Sequence, residues 1–68
     1  MSQSIIRTII REATRAFRAG SFTFTAFGRV FGIEHVNGWE YRLLSADGKD
    51  AGMRIFNDPH GFLRFSMQ

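Results

Sequence analysis

The sequence predicts an α+β domain, one N-terminal amphipathic helix packed on a four-stranded antiparallel β-meander, and three features carry that prediction. Apolar residues recur at helical spacing between Ser4 and Ala19. From Ser21 onward the period changes to two, with Phe22 and Phe24 alternating with Thr23 and Thr25, and β-forming residues dominate to the end. Turn chemistry then divides this second part at Asn37-Gly38, at Asp47-Gly48 and across residues 57 to 61.

The helix comes first. At 100° per residue, Ile5, Ile6, Ile9, Ile10, Ala13, Ala16 and Phe17 fall within about 140° of arc, a face wide enough to cover a sheet. Ser2 or Ser4 can cap its start, and Gly20 stands where a glycine ends a helix. Four strands follow at about 21 to 36, 39 to 45, 51 to 56 and 62 to 67. Asn37-Gly38 is a type I′ hairpin signal between Val36 and Trp39. The first strand is long, and its apolar phase slips from Phe22, Phe24 and Ala26 to Phe27, Phe31 and Ile33. A bulge near Gly28 accounts for that slip. Trp39, Tyr41, Leu43, Met53, Ile55, Leu63, Phe65 and Met67 then share the face toward the helix and form the expected core, with a partner-binding contact beside the Asn37-Gly38 turn as the alternative reading of Trp39. Val30 and Phe56, joined by Leu44 and Phe62, fall on the opposite face as an expected apolar patch, a candidate surface for self-association.

Length and composition narrow the class. The chain has 68 residues, which leaves room for a single domain over residues 1 to 68. With 0 Cys there is no disulfide framework and no thiolate metal site, so stability must come from packing. Eight Phe, one Trp and one Tyr supply much of the bulk. Arg7, Arg11, Arg15 and Arg18 interrupt the one apolar stretch that a membrane span could use. An Arg-rich start also resembles a transit peptide, but a structural helix in a cytoplasmic protein is the better reading, because the sheet needs its cover.

Charge is distributed unevenly. Net charge is +3. Residues 1 to 33 carry Arg7, Arg11, Arg15, Arg18 and Arg29 against Glu12 alone, whereas residues 34 to 68 are slightly acidic. The four helical arginines lie at about 200° to 280° on the same wheel, opposite the apolar face. Such a stripe gives the helix nothing, because Arg7 sits where the macrodipole favours an acid and neighbouring turns place like charges together. Solvation alone accounts for many charged faces. The functional alternative is a docking surface, since arginine makes planar, bidentate contacts with carboxylates and phosphates. Arg7, Arg11, Arg15, Arg18 and Arg29 are therefore the expected partner-binding residues. The partner is nucleic acid, an acidic protein surface or an anionic membrane. The membrane is the weakest of these, because the apolar face is needed by the sheet. Glu34, Glu40, Asp47, Asp50 and Asp58 repel phosphate from the sheet's turns, which favours a protein.

Catalysis has little footing in this sequence. His35 and His60 are the two histidines, and neither has a metal-binding spacing. Asp58-Pro59-His60 places a carboxylate near a base, but Asn57, Asp58, Pro59 and Gly61 together read as a turn. No cofactor, no metal and no enzymatic activity are expected.

Residues 28 to 49, GRVFGIEHVNGWEYRLLSADGK, resemble part of the small phage-encoded anti-CRISPR proteins that inhibit type I-F surveillance complexes. The shared residues are Gly28, Val30, Ile33, Glu34, Val36, Asn37, Gly38 and Asp47-Gly48-Lys49. The resemblance implies a compact α+β inhibitor whose basic side chains compete for a surface that otherwise holds nucleic acid. The family's binding residues belong to its helical part, with which residues 1 to 27 do not align, so none is transferred. The expected function is thus a small inhibitor that docks its basic helix face on a protein complex, such as a CRISPR surveillance complex, and blocks that complex's nucleic-acid interaction. The alternatives are a nucleic-acid-binding protein that holds phosphates on the stripe, and an assembly subunit that functions as a homo-oligomer, such as a homo-dimer, through its spare apolar face.

Overall fold

The computed structural model describes residues 2 to 67. Its elements in chain order are α1 (Gln3–Arg18), β1 (Thr23–Ala26), β2 (Arg29–Asn37), β3 (Glu40–Leu44), β4 (Asp50–Asn57) and β5 (Leu63–Met67). The strands form one antiparallel sheet in the order β1-β2-β3-β4-β5, and α1 lies across one face.

The helix begins and ends as its sequence requires. Ser2 caps it, its hydroxyl accepting from the Ile5 N–H at 3.3 Å. At the other end Gly20 takes φ 74°, the Gly20 N–H donates to Phe17 O at 3.1 Å and the Ser21 N–H to Ala16 O at 2.9 Å. This is the Schellman arrangement, in which a left-handed glycine lets the chain turn back on the last free carbonyls.

The sheet has five strands, not four, because the expected bulge near Gly28 is a hairpin. Phe27 and Gly28 take φ 54° and 70°, the pattern of a two-residue type I′ turn, and Ala26 pairs with Arg29 across it. A two-residue loop pairs even-numbered residues with odd-numbered ones. Phe24 therefore stands opposite Phe31 on the same face, their rings stacked 5.3 Å apart. The slip in apolar phase is the signature of the strand reversing.

The second turn also moves. Gly38 and Trp39 are its two loop residues, flanked by the Asn37 to Glu40 pair, and the register shifts between His35 and Asn37. The core imposes this shift. A loop made of Asn37-Gly38 would pair Glu34 with Tyr41 and put the apolar residues of β2 and β3 on opposite faces. The irregularity at Val36 instead aligns Ile33 with Leu43 and His35 with Tyr41. Trp39 is thereby displaced from the expected core into the turn, where it is 61% exposed.

Apart from Trp39 and Met67, the expected strand residues do face the interior. Ile9, Leu43 and Met53 form one buried cluster, and Ala13, Ile33 and Ile55 another, with Phe24 and Phe65 touching both. Met67, also expected inside, is exposed at the end of the edge strand β5. The register shifts again between Arg42 and Leu44, where Gly52 takes φ 85° and donates its N–H to Asp50 Oδ1 at 2.7 Å.

The sheet face away from the helix is ionic rather than a continuous apolar patch. Arg42 pairs with Glu34 and reaches Asp50 at 3.9 Å, while Arg54 pairs with Asp50 at 2.8 Å and Glu40 at 3.4 Å. Val30 and Leu44 lie to one side of this network. Phe56 lies to the other, half-buried, with the Arg64 guanidinium 5.9 Å from its ring centre. Among the described residues, no helix is long and apolar enough to cross a membrane.

Candidate functional site

The arginine stripe survives folding intact. Ile9, Ala13 and Ala16 are buried against the sheet, and Arg7, Arg11, Arg15 and Arg18 are all exposed on the other side of α1. At 1.5 Å per residue the stripe runs for roughly 16 Å. Arg11, Thr14, Arg15 and Arg18 line a shallow depression on it.

One acid lies within the stripe. Glu12 contacts Arg11 Nε at 3.4 Å and Arg15 Nη1 at 3.6 Å, so a single carboxylate is shared by two guanidiniums whose side chains are 65% and 72% exposed. Among the described residues, no carboxylate comes within 4.0 Å of Arg7, Arg18 or Arg29. The two ends of the stripe thus present uncompensated charge, and its middle is mixed. Contrary to the expectation that the stripe gives the helix nothing, Arg15 and Arg18 occupy the last turn of α1, where the macrodipole favours cations.

Arg29 does not join this surface. It follows the β1 to β2 turn and, with Phe27, Phe31 and Met67, borders an apolar groove of about 640 Å³ at the N-terminal end of α1. Ile9, Leu43 and Met53, all buried, lie at its base, and Ile5 and Phe27 at its rim are 38% and 58% exposed. This groove exists only because β1 folds back on β2, so a reading with one long first strand does not contain it.

Two exposed aromatic residues stand at the opposite end. The β2 to β3 turn and the β4 to β5 loop emerge from the same end of the sheet, and they carry Trp39 and Phe62, the latter 68% exposed. The Asn57 N–H donates to Trp39 O at 2.9 Å, which fixes that turn against β4. Its place beside Gly38 is the sequence feature that marks Trp39 as a candidate contact residue.

The loops hold carboxylates for structural reasons. Asp58 Oδ1 accepts from the backbone N–H groups of His60 and Phe62, both at 2.9 Å, and Gly61 follows at φ 86°. The carboxylate thus closes the loop through the backbone of His60. In the β3 to β4 turn, the Ser45 hydroxyl and the Lys49 N–H donate to Asp47 and hold its carboxyl below the usual range. The Gly52 N–H, and after it Arg54, does the same for Asp50. Among the described residues, no three His, Asp or Glu side chains gather as metal ligands.

Compared with protein-family models, with curated proteins and with solved structures, the chain matches none.

Proposed function

We propose that this chain is a small binding protein that docks the arginine face of α1 on an acidic surface of a partner protein complex, and by occupying that surface inhibits the complex. The observation that carries this reading is the position of Glu12. A stripe built for a phosphate backbone gains from uniform positive charge, because each phosphate neutralised releases counterions. An acid between Arg11 and Arg15 opposes that, yet it provides a register mark against a protein surface of mixed charge, where complementary patterns set specificity. Asp47 and Asp58 in the sheet's turns act in the same direction, since they place negative charge away from the helix face.

Inhibition of a nucleic-acid-handling complex belongs to the same proposal. A basic face of about 16 Å can occupy a protein site, or mask an acidic one, without any pocket for chemistry. Capture from bacterial lysate with the tagged chain, with and without nuclease, tests the reading. Recovery of the same proteins under both conditions supports it, and Arg11→Ala or Arg15→Ala then lowers recovery several-fold while Arg64→Ala does not. Loss of all recovery after nuclease would show instead that the stripe binds nucleic acid.

A further inference from the structure

We infer that the groove between the first half of α1 and the β1 to β2 hairpin is a binding site for a small amphipathic anion, an aliphatic chain ending in one carboxylate that lies against Arg29. The site is separate from the arginine face of α1, and its occupation does not depend on that face having a partner.

Three observations combine here. At about 640 Å³, the groove lies within the range of small-ligand sites, roughly 300 to 1,000 Å³. Among the described residues its lining is apolar apart from Arg29 and Ser45, so they give it a long greasy wall and one cation. Arg29 is exposed and, among the described residues, has no carboxylate within 4.0 Å, so its guanidinium is available for a bidentate contact.

Phe27 supplies a further observation. The first position of a type I′ turn suits Asn, Asp or Gly, and a left-handed backbone is strained for most other residues. Phe27 holds φ 54° there and is 58% exposed, so burial in the core does not offset the strain. On the groove rim the ring extends the apolar wall on which an aliphatic chain would lie.

Charge selects this occupant over a second copy of the chain. A two-fold dimer sealing both grooves would bring both Arg29 guanidiniums into one interface, with no carboxylate among the described lining residues to meet them. A carboxylate-ended chain meets the groove's single cation with a single anion.

The test titrates the full ¹⁵N-labelled chain with octanoate and, in parallel, with 1-octanol, both at concentrations where they are monomeric. Octanoate is expected to saturate one site, with amide shifts centred on Ile5, Phe27, Phe31, Ala51 and Met67. Decanoate should bind more tightly by about fourfold for each added methylene that is buried. Arg29→Ala should weaken octanoate about tenfold, the equivalent of one charge-assisted hydrogen bond, while leaving 1-octanol unchanged. Arg11→Ala, on the other surface, should change neither. Ala51→Leu should fill the groove and weaken both ligands, and the Arg29 comparison stands if that variant does not fold. Shifts that fail to saturate or that follow the arginine face would overturn the inference. So would equal affinity for octanoate and 1-octanol, or octanoate binding unchanged by Arg29→Ala.

Discussion

Arg42 and Arg54 stand directly opposite each other across β3 and β4, and the carboxylate of Asp50 lies within reach of both, 2.8 Å from Arg54 and 3.9 Å from Arg42. Like charges directly opposite in a sheet are unfavourable unless an anion is placed between them. Asp50 supplies that anion and, through the Gly52 N–H, also fixes the irregularity in β4. Asp50→Asn keeps an acceptor for Gly52 but removes the charge. It should lower the thermal midpoint at low salt, by less in 1 M salt, where screening already weakens the ion pairs. An unchanged midpoint at low salt would show that the network contributes nothing.

The same residues set the response to acid. Asp47 and Asp50 are held below their ordinary value of 3.8, Asp47 chiefly by Ser45 and Asp50 chiefly by the Gly52 N–H. Their folded forms favour the ionised state, so the unfolded chain takes up protons first as pH falls. The stability they contribute is fully present above 3.8 and is lost as pH drops below it toward the lower folded values. Thermal melts between pH 6 and pH 2 should therefore lose stability below about pH 4. The double variant Asp47→Asn/Asp50→Asn should flatten that slope, and a slope unchanged in the variant would remove these two groups as its cause.

The register of the core makes a third prediction, contrasting Ile55 with Trp39. Ile55 is 1% exposed at the centre of the sheet, so Ile55→Ala should cost about 2 to 5 kcal/mol, enough to unfold a domain this small. Trp39→Ala should change stability by no more than about 0.5 kcal/mol, because the ring stands outside the core. Urea denaturation measures both. A large loss at Trp39 would contradict the displaced turn.

Phe27 provides the fourth. Phe27→Asn should stabilise the fold by about 0.5 to 1 kcal/mol, because Asn tolerates the left-handed backbone of a type I′ turn. Phe27→Val should do the reverse, since a β-branched residue tolerates it least. Urea titrations of both variants check the order, and a destabilised Phe27→Asn would mean that the ring contributes to packing.

The sequence made α1, its caps and its two faces legible, because a 3.6-residue period and a glycine at the C-terminus are local signals that packing did not override. The loops at Asp47 and Asp58 were legible for the same reason. What could not be read locally was register. An even-to-odd slip in apolar positions is shared by a bulge and a two-residue hairpin, and only the pairing of Phe24 with Phe31 distinguishes them. Trp39 likewise followed the strongest turn dipeptide in the sequence reading, whereas in the fold the alignment of Ile33 with Leu43 outweighs that preference. The arginine stripe was visible in full. The groove was not, because its lining comes from α1, the first hairpin, β3, β4 and β5 together.

The most direct measurement compares nuclease-treated capture from bacterial lysate by the unaltered chain, by Arg11→Glu/Arg15→Glu and by Arg64→Glu. Docking through α1 predicts that the unaltered chain and Arg64→Glu recover the same few proteins, and that the double variant recovers none of them. Equal recovery by the double variant, or loss of recovery by the unaltered chain once nucleic acid is digested, would contradict it.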